Sequence, residues 1–115
     1  MIDAVSIREM IALYSKHGWT LRRVLLSEAL RSRLSGEAGE LFGEAEIRMA
    51  PLDAAWFARS SSPSSTAWEI RHLSPTPFAL VGVLGDDMSE ETAEELLAET
   101  ERKMAEITRN RPPAN

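Results

Sequence analysis

The sequence predicts an α+β domain with a mainly antiparallel sheet of about five strands. The length of 115 residues is that of one domain, and a composition of 43% hydrophobic and 27% charged residues is typical of a chain with a core. Apolar residues recur at helical spacing near both ends and alternate in strand-like fashion between them. The predicted order is helix, strand, short helix, four strands and helix, within a single domain over residues 1–110.

The first helix is marked at both ends. Ser6 and Glu9 have capping-box spacing, which predicts that the helix begins at residue 7. Gly18 can adopt the left-handed conformation that ends a helix, so we expect a helix over residues 7–17. Its apolar stripe is Ile7, Met10, Ile11 and Tyr14.

Short elements follow. Residues 19–26 are rich in large and β-branched side chains, which predicts a strand, and Ser27 can cap a short helix that runs to Leu34. Residues 35–43 contain three glycines and predict a connector that can hold one more helical turn. Residues 45–49 alternate apolar and charged side chains, the pattern of a strand with one solvent-exposed face.

Residues 54–59 and 67–73 predict a hairpin around a serine-rich loop. A register that opposes Trp56 to Ile70 keeps the apolar side chains on one face, whereas a slip of one residue mixes the two faces. In this register Trp56 lies diagonal to both Trp68 and His72. The other face is mixed and carries Phe57, Arg59, Glu69, Arg71 and Leu73.

Residues 78–84 form a strand that is apolar on both sides, which is typical of a strand covered on both faces. A last helix, capped by Ser89, has an apolar stripe and a nearly all-glutamate opposite face. The stripe consists of Ala93, Leu96, Leu97, Thr100, Met104 and Ile107. Residues 111–115 predict a frayed tail. The three predicted helices are enough to cover one face of such a sheet but not both faces. We therefore expect a homodimer to cover the second face.

The net charge of −5 is unevenly distributed. Residues 86–107 carry nine acidic residues against Arg102 and Lys103. A local excess of arginine lies at positions 22, 23, 31 and 33, and it can meet the acidic helix across a dimer. An acidic chain is a poor general binder of phosphate backbones, so binding to nucleic acid is not expected.

Several classes of function are excluded or disfavoured. The absence of cysteine excludes disulfides, thiol nucleophiles and Cys-based zinc sites. No apolar run is long enough to span a membrane, and the N-terminus lacks signal-peptide features, which predicts a cytoplasmic protein. The spacing of His17 and His72 matches no metal-ligand motif, so neither a metal nor another cofactor is expected. No motif assigns a reaction, so catalysis is not expected either.

Two of the three tryptophans, Trp56 and Trp68, fall on one face of one hairpin. They can fill the core, form an interface or line a pocket. We expect a non-enzymatic interaction domain, a homodimer that binds another protein. The alternative is a small-molecule binding domain or an enzyme with a pocket between sheet and helices. The candidate lining of that pocket is Tyr14, Trp56, Trp68, His72, and Arg71 or Arg59.

Overall fold

The computed structural model describes residues 2–75 and 78–110. Four helices and five strands occur in this part of the chain: α1 (Ala4–Lys16), β1 (Thr20–Leu26), α2 (Glu28–Arg33), α3 (Ala38–Phe42), β2 (Glu46–Met49), β3 (Ala54–Ser62), β4 (Ser65–His72), β5 (Ala79–Gly85) and α4 (Glu90–Asn110). The strands form one sheet in the order β2-β1-β3-β4-β5, in which only β1 and β2 are parallel. The predicted α+β class is confirmed, and the tail predicted at residues 111–115 lies outside the described residues.

Helix α1 begins one turn earlier than predicted. Asp3, and not Ser6, is the capping residue: its Oδ1 atom accepts a hydrogen bond of 2.8 Å from the backbone N–H of Ser6. Both residues can cap a helix, but a carboxylate also interacts favourably with the positive end of the helix dipole. The predicted helix stop is confirmed, since Gly18 has a φ of +85°.

The other predicted caps and the hairpin register are confirmed. The hydroxyls of Ser27 and Ser89 accept backbone hydrogen bonds at the starts of α2 and α4. Trp56 lies opposite Ile70 and Ala58 opposite Trp68, as alternation of apolar and polar residues requires. The strands continue into the serine-rich segment through a bulge between Ser60 and Ser62, which makes the turn shorter than predicted.

The sheet lies between two helical layers. On one face α1, α2 and α3 cover a core that includes Ile7, Val24, Leu26, Leu30, Phe42 and Phe57. On the other face α4 covers a second core that includes Leu25, Ala54, Trp56, Ile70, Leu97 and Met104. The expectation that the helices cover one face only was wrong, because α4 packs on the side opposite to the other three.

Coverage by the helices is incomplete at both edges of the sheet. All four residues of β2 are exposed, so the predicted buried face of this strand is absent. On β5, Leu80 and Leu84 pack against the core beneath α4, whereas Val81 and Val83 on the other face are exposed. The reason is the placement of the helices: α2 packs on β1, and α1 reaches across the sheet only as far as Glu69 and Arg71 on β4. No helix within residues 2–75 and 78–110 is long and apolar enough to cross a bilayer.

Candidate functional site

The two tryptophans of the hairpin lie beneath α4. Trp56 is only 1% exposed, and its ring meets that of Trp68 edge-on, with 6.1 Å between the centroids. The indole N–H of Trp56 donates a hydrogen bond of 2.7 Å to Oε2 of Glu101 on α4. Trp68 is half-buried, and the guanidinium of Arg22 lies 5.9 Å from its ring centroid. Trp56 thus belongs to the core of its own chain and is inaccessible to a partner.

A buried arginine joins α4 to the sheet. Arg23 is 9% exposed; its Nε atom lies 2.8 Å from Oε1 of Glu46, and its Nη2 atom lies 2.8 Å from Oε1 of Glu94. A β-bulge between Leu21 and Arg23 turns the Arg23 side chain toward α4. Burial alone would lower the pKa of Arg23, but the hydrogen bonds and charges of the two glutamates raise it. These bonds satisfy the buried charge, so the network has a structural role.

Tyr14 marks a cleft between the end of α1 and the surface of β3 and β4. The cleft is open to solvent and has a volume of about 360 Å³, and we call it the Tyr14 cleft. The ring of Tyr14 stacks on Phe57 with 4.0 Å between the centroids, and its hydroxyl donates a hydrogen bond to Oε2 of Glu69. Burial and the bond to Glu69 raise the pKa of Tyr14 to about 12. The lining consists of Leu13, Tyr14, His17, Trp19, Arg59, Glu69 and Arg71.

Two arginines of this cleft are held by aromatic rings. The guanidinium carbon of Arg59 lies 4.7 Å from the ring centroid of Trp19, and its Nη1 atom donates a hydrogen bond of 3.1 Å to the carbonyl of His17. The guanidinium carbon of Arg71 lies 5.7 Å from the ring centroid of Tyr14. Neither arginine forms an ion pair with a carboxylate in residues 2–75 and 78–110. A guanidinium held over a ring is restricted in its motion, and the nitrogens that make no other contact stay available as donors.

The structure separates the residues that the sequence suggested as one pocket lining. Tyr14, Arg59 and Arg71 share the cleft, whereas Trp56 and Trp68 lie on the opposite face of the sheet. His72 also lies outside the cleft. Its ring packs against Phe78 at 5.3 Å, and its Nδ1 atom shares a hydrogen bond of 2.9 Å with the hydroxyl of Ser74.

The exposed part of β5 is a second candidate surface. Val81 and Val83 are 60% and 58% exposed, and they share a face with Ala79. Within the described part of the chain β5 pairs with β4 alone, so its outer backbone edge is unpaired. We call this edge, together with the three side chains, the β5 edge surface.

Sequence reasoning missed part of each site. His17 and Trp19 were interpreted only as residues at a helix end and a strand start, yet both line the Tyr14 cleft. Their position next to Gly18 was the available signal, because the chain turns there from α1 onto the sheet. The exposure of β5 was missed because the apolar pattern itself indicated a fully covered strand.

Comparisons with protein-family models, with curated proteins and with solved structures give no match. Function is therefore inferred from the chemistry of the Tyr14 cleft and of the β5 edge surface. Among the described residues, no group of three or more histidine, aspartate or glutamate side chains is placed to hold a metal ion. The Tyr14 cleft offers arginine hydrogen-bond donors, and the β5 edge surface offers apolar side chains and an open strand edge.

Proposed function

We propose that this chain is a non-enzymatic, cytoplasmic protein-interaction domain that forms a homodimer through the β5 edge surface. The observation that carries the proposal is the exposure of Val81 and Val83 on an unpaired edge strand. Long, apolar strand edges tend to pair with another chain unless charges, prolines or bulges protect them. A second copy of the chain is the occupant that we propose.

The contrast between the two edges of the sheet supports this choice. At one edge, β2 has four residues and includes the charged side chains of Glu46 and Arg48. At the other edge, β5 has seven residues and none of them is charged. The first edge thus has the features that prevent pairing, and the second lacks them.

The sequence of β5 also suits pairing with itself. Antiparallel pairing about a twofold axis at Gly82 would place Val81 of one protomer opposite Val83 of the partner subunit. It would also place Val83 of the first protomer opposite Val81 of the partner subunit. Cross-strand pairs of β-branched residues stabilise a sheet, and a twofold interface requires this kind of self-complementarity. Because β5 is uncharged, the pairing brings no like charges together within the strand.

The energetics indicate a weak dimer. The two cross-strand valine pairs contribute about 0.2–1 kcal/mol each, because pairing along the edge leaves the outer face of the valines in water. Association itself costs at least about 4 kcal/mol, so the new backbone hydrogen bonds must supply the net stability. The dimer must therefore be sought over a wide range of concentrations.

A matched pair of variants tests the proposal. Val81→Lys and Ile47→Lys each place a lysine at an exposed β-branched position of an edge strand, on β5 and β2 respectively. We expect sedimentation velocity to show Val81→Lys as a single chain at concentrations where the unaltered protein and Ile47→Lys dimerise. Equal dimerisation of both variants, or loss of the dimer in Ile47→Lys alone, would contradict the proposed interface.

A further inference from the structure

The Tyr14 cleft carries two arginines against one carboxylate, that of Glu69, and so presents a net positive charge. Arg59 and Arg71 both line it, and neither pairs with a carboxylate there. The contrast with Arg23 is informative, because that arginine lies within 4 Å of three glutamates. A chain with 18 acidic residues has many carboxylates to offer, yet these two arginines are left without one.

Arg71 provides the second observation. Its Nε atom is buried and has no hydrogen-bond partner in the structure. A buried donor without a partner costs free energy, and such groups are rare in folded proteins. Since this Nε atom has almost no accessible surface, a ligand in the cleft would meet Arg71 at its terminal nitrogens.

The cleft is also arranged before any ligand arrives. Trp19 and the carbonyl of His17 position Arg59, while Tyr14, itself stacked on Phe57, positions Arg71. Donors that are already fixed lose less conformational entropy on binding than free surface arginines do. The volume of about 360 Å³ lies near the lower end of the range for small-molecule sites.

We propose that the Tyr14 cleft binds a small organic anion through Arg59 and Arg71, which act as donors to its carboxylate or phosphate oxygens. The planar guanidinium fork matches both groups. Leu13 and Trp19 supply the apolar wall for the rest of the molecule. Glu69 is the single carboxylate of the lining and opposes the anion, although its Oε2 atom is occupied by the hydroxyl of Tyr14.

Three probes test this site: phenylacetate, phenyl phosphate and the neutral phenylacetamide, each titrated at constant ionic strength so that screening does not change. The readout is the NMR signal of the arginine Nε–H groups. We expect at least one anion to shift the signals of Arg59 and Arg71, with a dissociation constant of about 1 mM or below, and phenylacetamide to leave them in place. The anion that binds more tightly identifies the group as carboxylate or phosphate.

Variants distinguish specific anion binding in the Tyr14 cleft from nonspecific electrostatic binding of anions to the protein surface. We expect Arg59→Gln and Arg71→Gln to weaken anion binding about tenfold, and Arg31→Gln, at an exposed arginine of α2, to leave it unchanged. If Arg71→Gln does not fold, Arg71→Lys takes its place, since it keeps the charge and loses the planar fork. Glu69→Gln removes the opposing charge and should tighten binding.

Several results would overturn the proposal: no shift of the arginine signals with either anion, equal shifts with phenylacetamide, or equal weakening by the variant at position 31. The proposal does not rest on the dimer. A monomeric protein that binds phenylacetate through Arg59 and Arg71 would still confirm it.

Discussion

Among single residues, Tyr14 has the most distinctive chemical environment. Its place on the buried stripe of α1 followed from helical periodicity, because Ile7, Met10 and Tyr14 recur every three or four residues. Periodicity could not predict which residue accepts the hydrogen bond of its hydroxyl, since Glu69 lies 55 residues further along the chain. Contacts of this kind depend on how elements pack, and no local pattern encodes them.

The titration of Tyr14 provides a direct test, because it is the only tyrosine in the chain. We expect tyrosinate absorbance in the folded protein to appear at a pH of about 12, against 10.0 for a free side chain. The folded state therefore retains this proton longer than the unfolded state does, and stability should decline as the pH rises from 10 toward 12. Circular dichroism at each pH establishes that the protein is folded, and ionisation near 10 in the folded protein would contradict the buried hydrogen bond.

Among the elements, α4 differs most from its prediction. The amphipathic pattern predicted the helix, its cap at Ser89 and its apolar stripe, because these are local properties. The pattern could not assign the helix to a face of the sheet. On that face α4 buries Leu97 and Met104, and Glu94 and Glu101 reach Arg23 and Trp56; all of these contacts join distant segments.

Adjacent leucines of α4 give a matched test of its packing. Leu97 is 5% exposed and Leu96 is 39% exposed, although both belong to the predicted stripe. We expect Leu97→Ala to lower the free energy of unfolding by about 2–4 kcal/mol and Leu96→Ala by about 1 kcal/mol or less. Urea denaturation of both variants measures the difference. Similar losses would mean that α4 is rotated relative to the structure or only loosely docked.

For the whole molecule, the sequence predicted the helices, strands and hairpin register better than the way in which these elements pack together. The register of β3 and β4 was correct because Trp56, Ala58 and Ile70 must share a buried face. The candidate pocket was divided between the two faces of the sheet because its definition relied on residue type more than on position. Exposure of Val81 and Val83 is the feature that neither the predicted elements nor the two internal cores explain.

The homodimer accounts for part of this feature, since it pairs the free edge of β5 and brings Val81 and Val83 into lateral contact with the valines of the partner subunit. The pairing surface is apolar, so its strength should depend little on ionic strength. An interface formed by the arginine residues and the acidic helix would instead weaken with added salt. The salt dependence of the mass therefore distinguishes the two modes of assembly.

The most direct test is the solution mass by light scattering, over a range of concentrations and at low and high salt. The account predicts a mass that rises toward twice the 12.8 kDa of one chain as concentration increases, in both salts. A mass of one chain at every concentration, or a dimer that high salt dissociates, would contradict association through the β5 edge surface.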